Sequence, residues 1–432
     1  MEIRPFKGWR YNVDSGDVSN LLAPPYDILS GEDKQALLEQ DPANIVAVDL
    51  PHVPPKEVGP DSAYEKAASL LQQWQRDGLM KQDGKPALYV YEQTYSWAGK
   101  THTRRAMLAG LRATELGEDV MPHEHTFDGP KADRMKLTEH TGLQMSPIFG
   151  FHTDPDGMVG KILAKAAADQ PALQGTLRGV TERLWVIDDE QDIRNIQDAL
   201  EDVKAYIADG HHRYTTAMDY ARGLRVAGTI DDDHQANFVM FALVAEDNEG
   251  LIVLPTHRLV HGLSCDYSFE ALLEQLGEDF DLTEADPAGA NLADADALLA
   301  DYGPHAIALV GPDAEKMVVA TLKSAEPMRA AAPDECAAWQ KLDVAILHKL
   351  ILEKALAPWT TAKTDVEYTP DGNAAWDACK EGNVQLAAIL RGTPLAAVRD
   401  IADAGASMPH KSTYFYPKLA TGMVLKPLDL EE

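Results

Sequence analysis

Apolar positions along this chain recur with two periods, and the switches between them mark out its elements. Residues 62–77 place Ala67, Leu70, Leu71 and Trp74 on one helical face, with Gly78 as the stop, which predicts an amphipathic helix. A shorter helix is expected over 30–40, with Ser30 as N-cap and Asp33 at the third position, a weaker form of the reciprocal capping box. Ahead of it, Pro24 and Pro25 stiffen an extended loop that carries Tyr26 and Asp27. Residues 45–50 read as a short strand. Two alternating runs, 87–95 and 101–111, joined through Trp97-Ala98-Gly99-Lys100, read as a β-hairpin. Buried strands are expected at 147–151 and 184–187, and a helix at 192–200. A strand over 203–208 runs straight into Asp209-Gly210, and a helix follows over 214–226. Residues 237–244 and 250–254 read as a strand pair about the turn 246–249.

After Cys265 the pattern changes. A helix over 267–276 leads through an Ala/Asp-rich stretch to strands at 306–309 and 317–320. An amphipathic helix over 342–356 contains His348, and a strand (383–390) and a helix (394–403) follow. The tail, 407–418, is aromatic and basic, unlike a frayed terminus. The order of elements predicts an α+β fold in three parts: a core region over 1–264, an acidic α/β segment over 265–330, and a C-terminal α/β portion over 331–432 whose tail returns to the core. A chain of 432 residues exceeds what one hydrophobic core usually supports, which agrees with this division.

Charge narrows the function classes. The 69 acids outnumber 39 bases, for a formal net charge of −30. Nucleic-acid binding draws its affinity from Lys and Arg set against phosphates, so a general role of that kind is disfavoured. No Lys or Arg lies between Arg258 and Lys316, which reads as a solvated acidic face. No run approaches the roughly 20 apolar residues of a membrane span. The start, Met1-Glu2-Ile3-Arg4-Pro5-Phe6, lacks the pattern of a signal peptide, and a cytoplasmic location is expected. Cys265, Cys336 and Cys379 are scattered without CxxC spacing and read as inert thiols.

The candidate chemistry concentrates at two places. In Asp209-Gly210-His211-His212-Arg213, continuing to Thr216, a strand ends, a glycine permits a bend and a helix begins. Helix N-termini present N–H groups and partial positive charge, and so favour phosphates. Arg213 adds a fork suited to phosphate oxygens, the histidines can donate to phosphate or shuttle protons, and Asp209 can orient a histidine or hold a magnesium ion. The second place is 122–136, too dense in ionisable groups for ordinary packing. There Glu124 is a candidate general base between His123 and His125, and Lys131 and Arg134 can neutralise phosphoryl charge. Supporting candidates are Tyr26 and Asp27, with Asp27 as a second magnesium ligand, and His257, Arg258 and Lys411. Competing uses of the same residues are a catalytic zinc site, or a metal-dependent hydrolase built on His123, His125 and His211.

Five segments together resemble a known family. They are Ala23-Pro24-Pro25-Tyr26-Asp27, His123-Glu124-His125-Thr126, Ile207 to Tyr214, Leu254-Pro255-Thr256-His257-Arg258-Leu259, and Met408 to Tyr414. In order and number they resemble the bacterial and archaeal family called domain of unknown function 1015. The Asp-Gly-His-His-Arg run is also similar to the signature of free-serine kinases in the ParB/sulfiredoxin-like superfamily. That second resemblance implies a ParB/sulfiredoxin-like core, a turn over residues 209–213 that binds ADP or ATP with magnesium, and Glu124 as counterpart of the catalytic glutamate. The expected activity is phosphoryl transfer to a small hydroxylated metabolite, free L-serine first. The alternative is a non-enzymatic nucleotide-binding regulator.

Overall fold

The computed structural model describes residues 1–124, 126, 128–286, 292–314 and 316–428, apart from the side chains of 128–130 and 313. The chain divides into two units, one made of 1–251 with 417–432 and the other of 252–416. The acidic stretch and most of the C-terminal portion therefore lie together in the second unit.

The first unit is built on a mixed sheet. Its strands are β1 (Ile3–Arg4), β2 (Leu88–Trp97), β3 (Lys100–Arg112), β4 (Val120–Met121), β5 (Ile148–His152), β6 (Leu173–Leu177), β7 (Val180–Ile187), β8 (Ala205–Asp209) and β9 (Phe238–Ala245). Their spatial order is β4-β8-β5-β9-β3-β2-β7-β6, with β1 beside β3. The predicted hairpin forms as β2 and β3, tightened at Ala98 and Gly99, both at positive φ. Strands β8 and β4, and β9 and β5, run parallel, and the other pairs are antiparallel. Parallel neighbours need a crossover, and the elements between them supply it.

Helices α1 (Gly31–Gln40), α2 (Val46–Asp49), α3 (Asp61–Arg76), α4 (Asp128–Thr141), α5 (Met158–Ala166), α6 (Glu190–Leu200) and α7 (His211–Val226) complete the unit. The capping box of α1 forms in full: Ser30 accepts from the Asp33 N–H while Asp33 accepts from the Ser30 N–H. In α3 the buried stripe is Tyr64, Ala67, Leu71 and Trp74. Residues 45–50, expected as a strand, instead form the single turn α2. The β-branched alternation misled because Ile45, Val46, Val48 and Leu50 are all buried, so no solvent face exists. Asn44 sets the turn. Its amide donates to the Asn20 and Leu22 carbonyls and its Oδ1 accepts from the Val46 N–H.

The second unit holds β10 (Ile252–Leu254), β11 (His257–His261), β12 (Phe280–Ala285), β13 (Ala306–Val310), β14 (Met317–Leu322), β15 (Asp365–Thr369), β16 (Leu386–Ile389) and β17 (Tyr414–Tyr416). Six of them form an antiparallel sheet ordered β12-β14-β13-β16-β11-β15. The expected pairing of 237–244 with 250–254 does not occur. Strand β9 is claimed on both sides by β3 and β5, and β10 pairs with β17. The helix expected over 342–356 is helical throughout, but its second part, Leu347–Ala355, is wound as a π-helix. Among the described residues no helix is long and apolar enough to cross a membrane. The whole is a mixed α+β architecture.

Candidate functional site

Strand β8 enters the site through an irregularity. Ile207 pairs with Gly150 and Asp209 with Phe149, so one residue, Ala208, is extra on this strand. Bulges of this kind re-aim the side chains that follow. Gly210 then takes φ 97°, ψ 27°, a left-handed conformation that side chains rarely adopt, and α7 starts at His211. The helix begins three residues earlier than its hydrophobic period suggests. Its first internal bond runs from the Tyr214 N–H to the Gly210 carbonyl, so the N–H groups of His211, His212 and Arg213 precede the ladder.

Two cations converge on Asp209. Lys418 Nζ donates to Oδ1 at 2.8 Å and Arg213 NH2 to Oδ2 at 2.9 Å. Burial alone would raise this carboxyl, but Lys418 and then Arg213 hold it well below the usual carboxylate range. The other arm of Arg213 donates to the Pro147 carbonyl at 2.6 Å. Each Asp209 oxygen is thus engaged by one cation, and the magnesium role expected of this carboxylate would compete with Lys418 and Arg213. Asp27, the other carboxylate expected to hold magnesium, lies near His212, whose protonated form it favours.

His211 is buried and neutral. Its Nε2 accepts from the His123 N–H at 3.3 Å, which leaves Nδ1 as the protonated nitrogen, 3.8 Å from Glu124 Oε2. Burial, then the neighbouring His123, pushes the His211 imidazole well below its ordinary value. His123 meets it edge to face, with centroids 4.7 Å apart, and is brought down to about 4 by burial. His212 is half-buried. Burial lowers it, Glu124 and Asp27 act to raise it, and Lys131 and Lys56 act to lower it, so these four charges surround it. His125 lies outside the described residues, as does the side chain of Asp128, and among the described residues no group of three potential metal ligands occurs.

Arg134 is placed differently from the other expected phosphate ligands. Its guanidinium donates to Asp133 Oδ2 (2.7 and 2.9 Å) and to the carbonyl and Oδ1 of Asp49 (2.8 and 3.2 Å), and it stacks on the Tyr26 ring at 3.8 Å. It braces the Pro24-Pro25 loop and holds Tyr26 in place. Tyr26, pushed up to about 12 mainly by burial, lines a cleft of about 50 Å³ with Asp49, Gln144, Ser146, Arg213 and Thr216. That space suits a few waters or one small substituent. Asp49 is raised by burial, against the pull of Arg134 and Arg213.

The first unit thus gathers Tyr26, Asp27, His123, Glu124, Lys131, Arg134, Asp209 to Arg213 and Thr216. His257, Arg258 and Lys411 belong to the second unit. There His257 and Arg258 are fully buried and Lys411 is exposed with φ 56°. Sequence reasoning missed Lys418, Asp49 and Lys56. Lys418 lay within the aromatic, basic tail that the composition marked out. Asp49 was hidden by the strand assignment of its segment.

Comparison with known proteins adds a family and distant likenesses. No curated protein matches the chain. Among solved structures, a free serine kinase in complex with AMP is 14% identical with a TM-score of 0.34, over 71% of this chain and 90% of that one. A conserved hypothetical protein from Pyrococcus furiosus is 15% identical (TM-score 0.34, 72% and 93% covered). A C-terminally truncated SbnI from Staphylococcus aureus is 11% identical (TM-score 0.34, 74% and 87%). The family described as "Protein of unknown function (DUF1015)" matches residues 3–345, and the chain belongs to it.

Proposed function

We propose that the turn over residues 209–213 holds the phosphates of ADP or ATP, and that the protein is a phosphotransferase acting on a small hydroxylated metabolite, with free L-serine as the first candidate. The observation that carries this reading is the left-handed Gly210 at the mouth of α7, with Arg213 and Lys418 converging beside it. A helix N-terminus flanked by two cations is an anion-binding arrangement. Phosphoryl transfer asks chiefly for positioning and charge neutralisation, which these groups supply.

In this reading the N–H groups of 211–213 and Arg213 hold phosphate oxygens, with Lys131 and Lys56 close by at His212. Glu124, about one-third exposed, takes the acceptor hydroxyl's proton. His211 stands beside Glu124, its Nδ1 3.8 Å from Oε2, and its neutrality means that it adds no charge to the site. A metal ion supplied with the nucleotide would be held by Asp27, where it would neutralise phosphate charge. Arg134 supports the site by fixing Tyr26.

The test is incubation of the full chain with ADP or ATP and L-serine, then a panel of hydroxy amino acids, with mass detection of the phosphorylated product. Phosphoserine is expected from wild type, with loss in Glu124→Gln while nucleotide binding persists. Absence of transfer to every acceptor under both nucleotides would refute the transferase reading. Asp209, with both oxygens occupied by cations, favours the second reading, a nucleotide-binding regulator. Retained nucleotide affinity without turnover would establish it.

A further inference from the structure

Asp49 ends the single turn α2 and is 3% exposed, and the brace it touches does not account for its carboxyl. The Arg134 guanidinium is held without it. Asp133 Oδ2 accepts from Nε at 2.9 Å and from Nη2 at 2.7 Å, and the Asp49 backbone carbonyl accepts from Nη1 at 2.8 Å. The Asp49 side chain adds only a second, longer bond to that same Nη1, through Oδ1 at 3.2 Å. Among the described residues no hydrogen bond reaches its other oxygen, Oδ2. Burial holds the carboxyl above its ordinary value against the pull of Arg134 and Arg213, so the ionised form is short of donors. A buried carboxyl is costly to keep unless donors meet both of its oxygens.

This carboxyl lines the cleft of about 50 Å³, which has room for one small substituent. Leu137, Leu143, Ile148 and Val239 make the cleft apolar over much of its wall, and Tyr26 stands with Asp49 on the polar side. A phenolic oxygen can accept a second hydrogen bond from whatever Asp49 receives. Arg213 and Thr216 belong to this wall and to the first turns of α7 alike, so the cleft adjoins the 209–213 turn. The wall therefore asks for a compact donor. An anion would meet Asp49 unfavourably, and a hydroxyl would bring one donor without charge. An ammonium brings three donors and makes charge-assisted bonds, the stronger kind in a desolvated place.

We propose that this cleft is an ammonium subsite, in which Asp49 Oδ2 and the Tyr26 hydroxyl take the primary amine of a small amino alcohol or hydroxy amino acid. That the bound amine belongs to the phosphoryl acceptor rests on the transferase reading; the subsite itself requires no turnover. The proposal narrows the acceptor from any hydroxylated metabolite to one with a primary amine close to its hydroxyl. It also gives the Arg134 brace a purpose, since one guanidinium fixes both the Tyr26 ring and the Asp49 backbone.

The experiment is equilibrium titration of the full chain with L-serine, ethanolamine and L-glycerate, alone and with AMP present, for wild type and Asp49→Asn. L-glycerate has a hydroxyl where serine has its amine. Wild type should bind one or both amines at least about tenfold more tightly than glycerate, the size of one charge-assisted hydrogen bond. Serine as the tighter amine identifies a hydroxy amino acid, and ethanolamine as the tighter identifies an amino alcohol. Asp49→Asn should weaken the amines by about tenfold or more and leave glycerate within about twofold. Equal loss for all ligands marks Asp49 as structural and overturns the proposal, as does an unchanged preference in the variant. A wild type that binds glycerate as tightly as the amines, or binds none of the three, overturns it too. Should Asp49→Asn not fold, a wild-type crystal soaked with the tighter amine decides. Nitrogen within hydrogen-bond distance of Asp49 Oδ2 upholds the subsite, and density elsewhere overturns it. The two readings fail separately. Amine binding through Asp49 with no phosphorylated product leaves the subsite and removes transfer. Phosphoserine formed with an unchanged KM for serine in Asp49→Asn removes the subsite and leaves transfer.

Discussion

Each unit of the molecule carries a His–Arg pair in sequence next to a β-strand, and the two pairs are put to opposite use. His212-Arg213 lies in the first turn of α7; its guanidinium has a carboxylate partner at 2.9 Å and one edge on a cleft. His257-Arg258 opens β11, and its guanidinium is fully buried with no carboxylate in ion-pair reach among the described residues. All five of its N–H groups go to neutral acceptors: His348 Nε2, the Thr256 carbonyl and hydroxyl, and the carbonyls of His410 and Lys411. Burial lowers it to about 10. One arginine is ion-paired at the edge of a cleft; the other is a staple that ties 410–411 to β11. The dipeptide does not determine the use. The neighbours do.

The largest effect expected from breaking this contrast is at the staple. Arg258→Ala strands several buried carbonyls and opens a cavity, which should cost roughly 3–5 kcal/mol of stability. Urea unfolding should show the loss, while ADP affinity of the folded protein stays within about twofold, since a staple holds no ligand. A tenfold loss of affinity in folded Arg258→Ala would erase the distinction between the two arginines.

Next come the histidines, where the two regions agree. His123 and His257 are each brought from 6.5 to about 4, mainly by burial. A base with a depressed folded value binds its proton less readily than the unfolded chain does. The stability it permits is therefore full above pH 6.5 and is lost as pH falls from there through 4. Each should contribute roughly 3 kcal/mol of acid sensitivity, judged from the depression. His123→Gln and His257→Gln should each flatten the pH–stability curve between 6.5 and 4. Only His123, packed on His211 at the proposed phosphate turn, should be shielded from acid by saturating ADP. Equal shielding of both would show that the ligand does not report on the 209–213 turn.

Much of this site was legible in the sequence. The strand–glycine–helix junction, the dense 122–136 segment and the Pro-Pro loop all follow from local rules, and they do meet in one unit. Lys418 lies 209 residues beyond Asp209, and no periodicity links a tail lysine to a distant carboxylate. The Arg134 brace was equally invisible, since a guanidinium facing two buried carboxylates and one facing phosphate have the same sequence. The fold erred where burial on all sides mimics a strand, at 45–50. It erred again where a partner from elsewhere displaces the nearest neighbour, as β17 does for β10.

Arg213→Ala carries the next effect: ADP affinity lower by about 30- to 100-fold, or roughly 2–3 kcal/mol, as for loss of a charge-assisted fork. Its exposed edge limits the stability cost to about 1 kcal/mol. The pattern is the reverse of Arg258→Ala, and binding and unfolding measured side by side separate the two. Unchanged ADP affinity would refute the proposed phosphate-holding role of residues 209–213.

The smallest change is Gly210→Ala, and it tests the backbone without removing any polar group. At φ 97° an alanine is strained by about 1 kcal/mol. Its Cβ would lie 3.0–3.1 Å from the Arg213 NH2, Cζ and Nε atoms. Those atoms are the far end of a flexible side chain, so the guanidinium can give way at small cost to folding. In yielding it leaves its place beside Asp209, so ADP affinity should fall by about tenfold while the melting temperature drops by only about 2–4 °C. A variant that loses stability on this scale and keeps its full affinity would show that Arg213 binds phosphate from another pose, and that the geometry at Asp209 is not the one that meets the ligand.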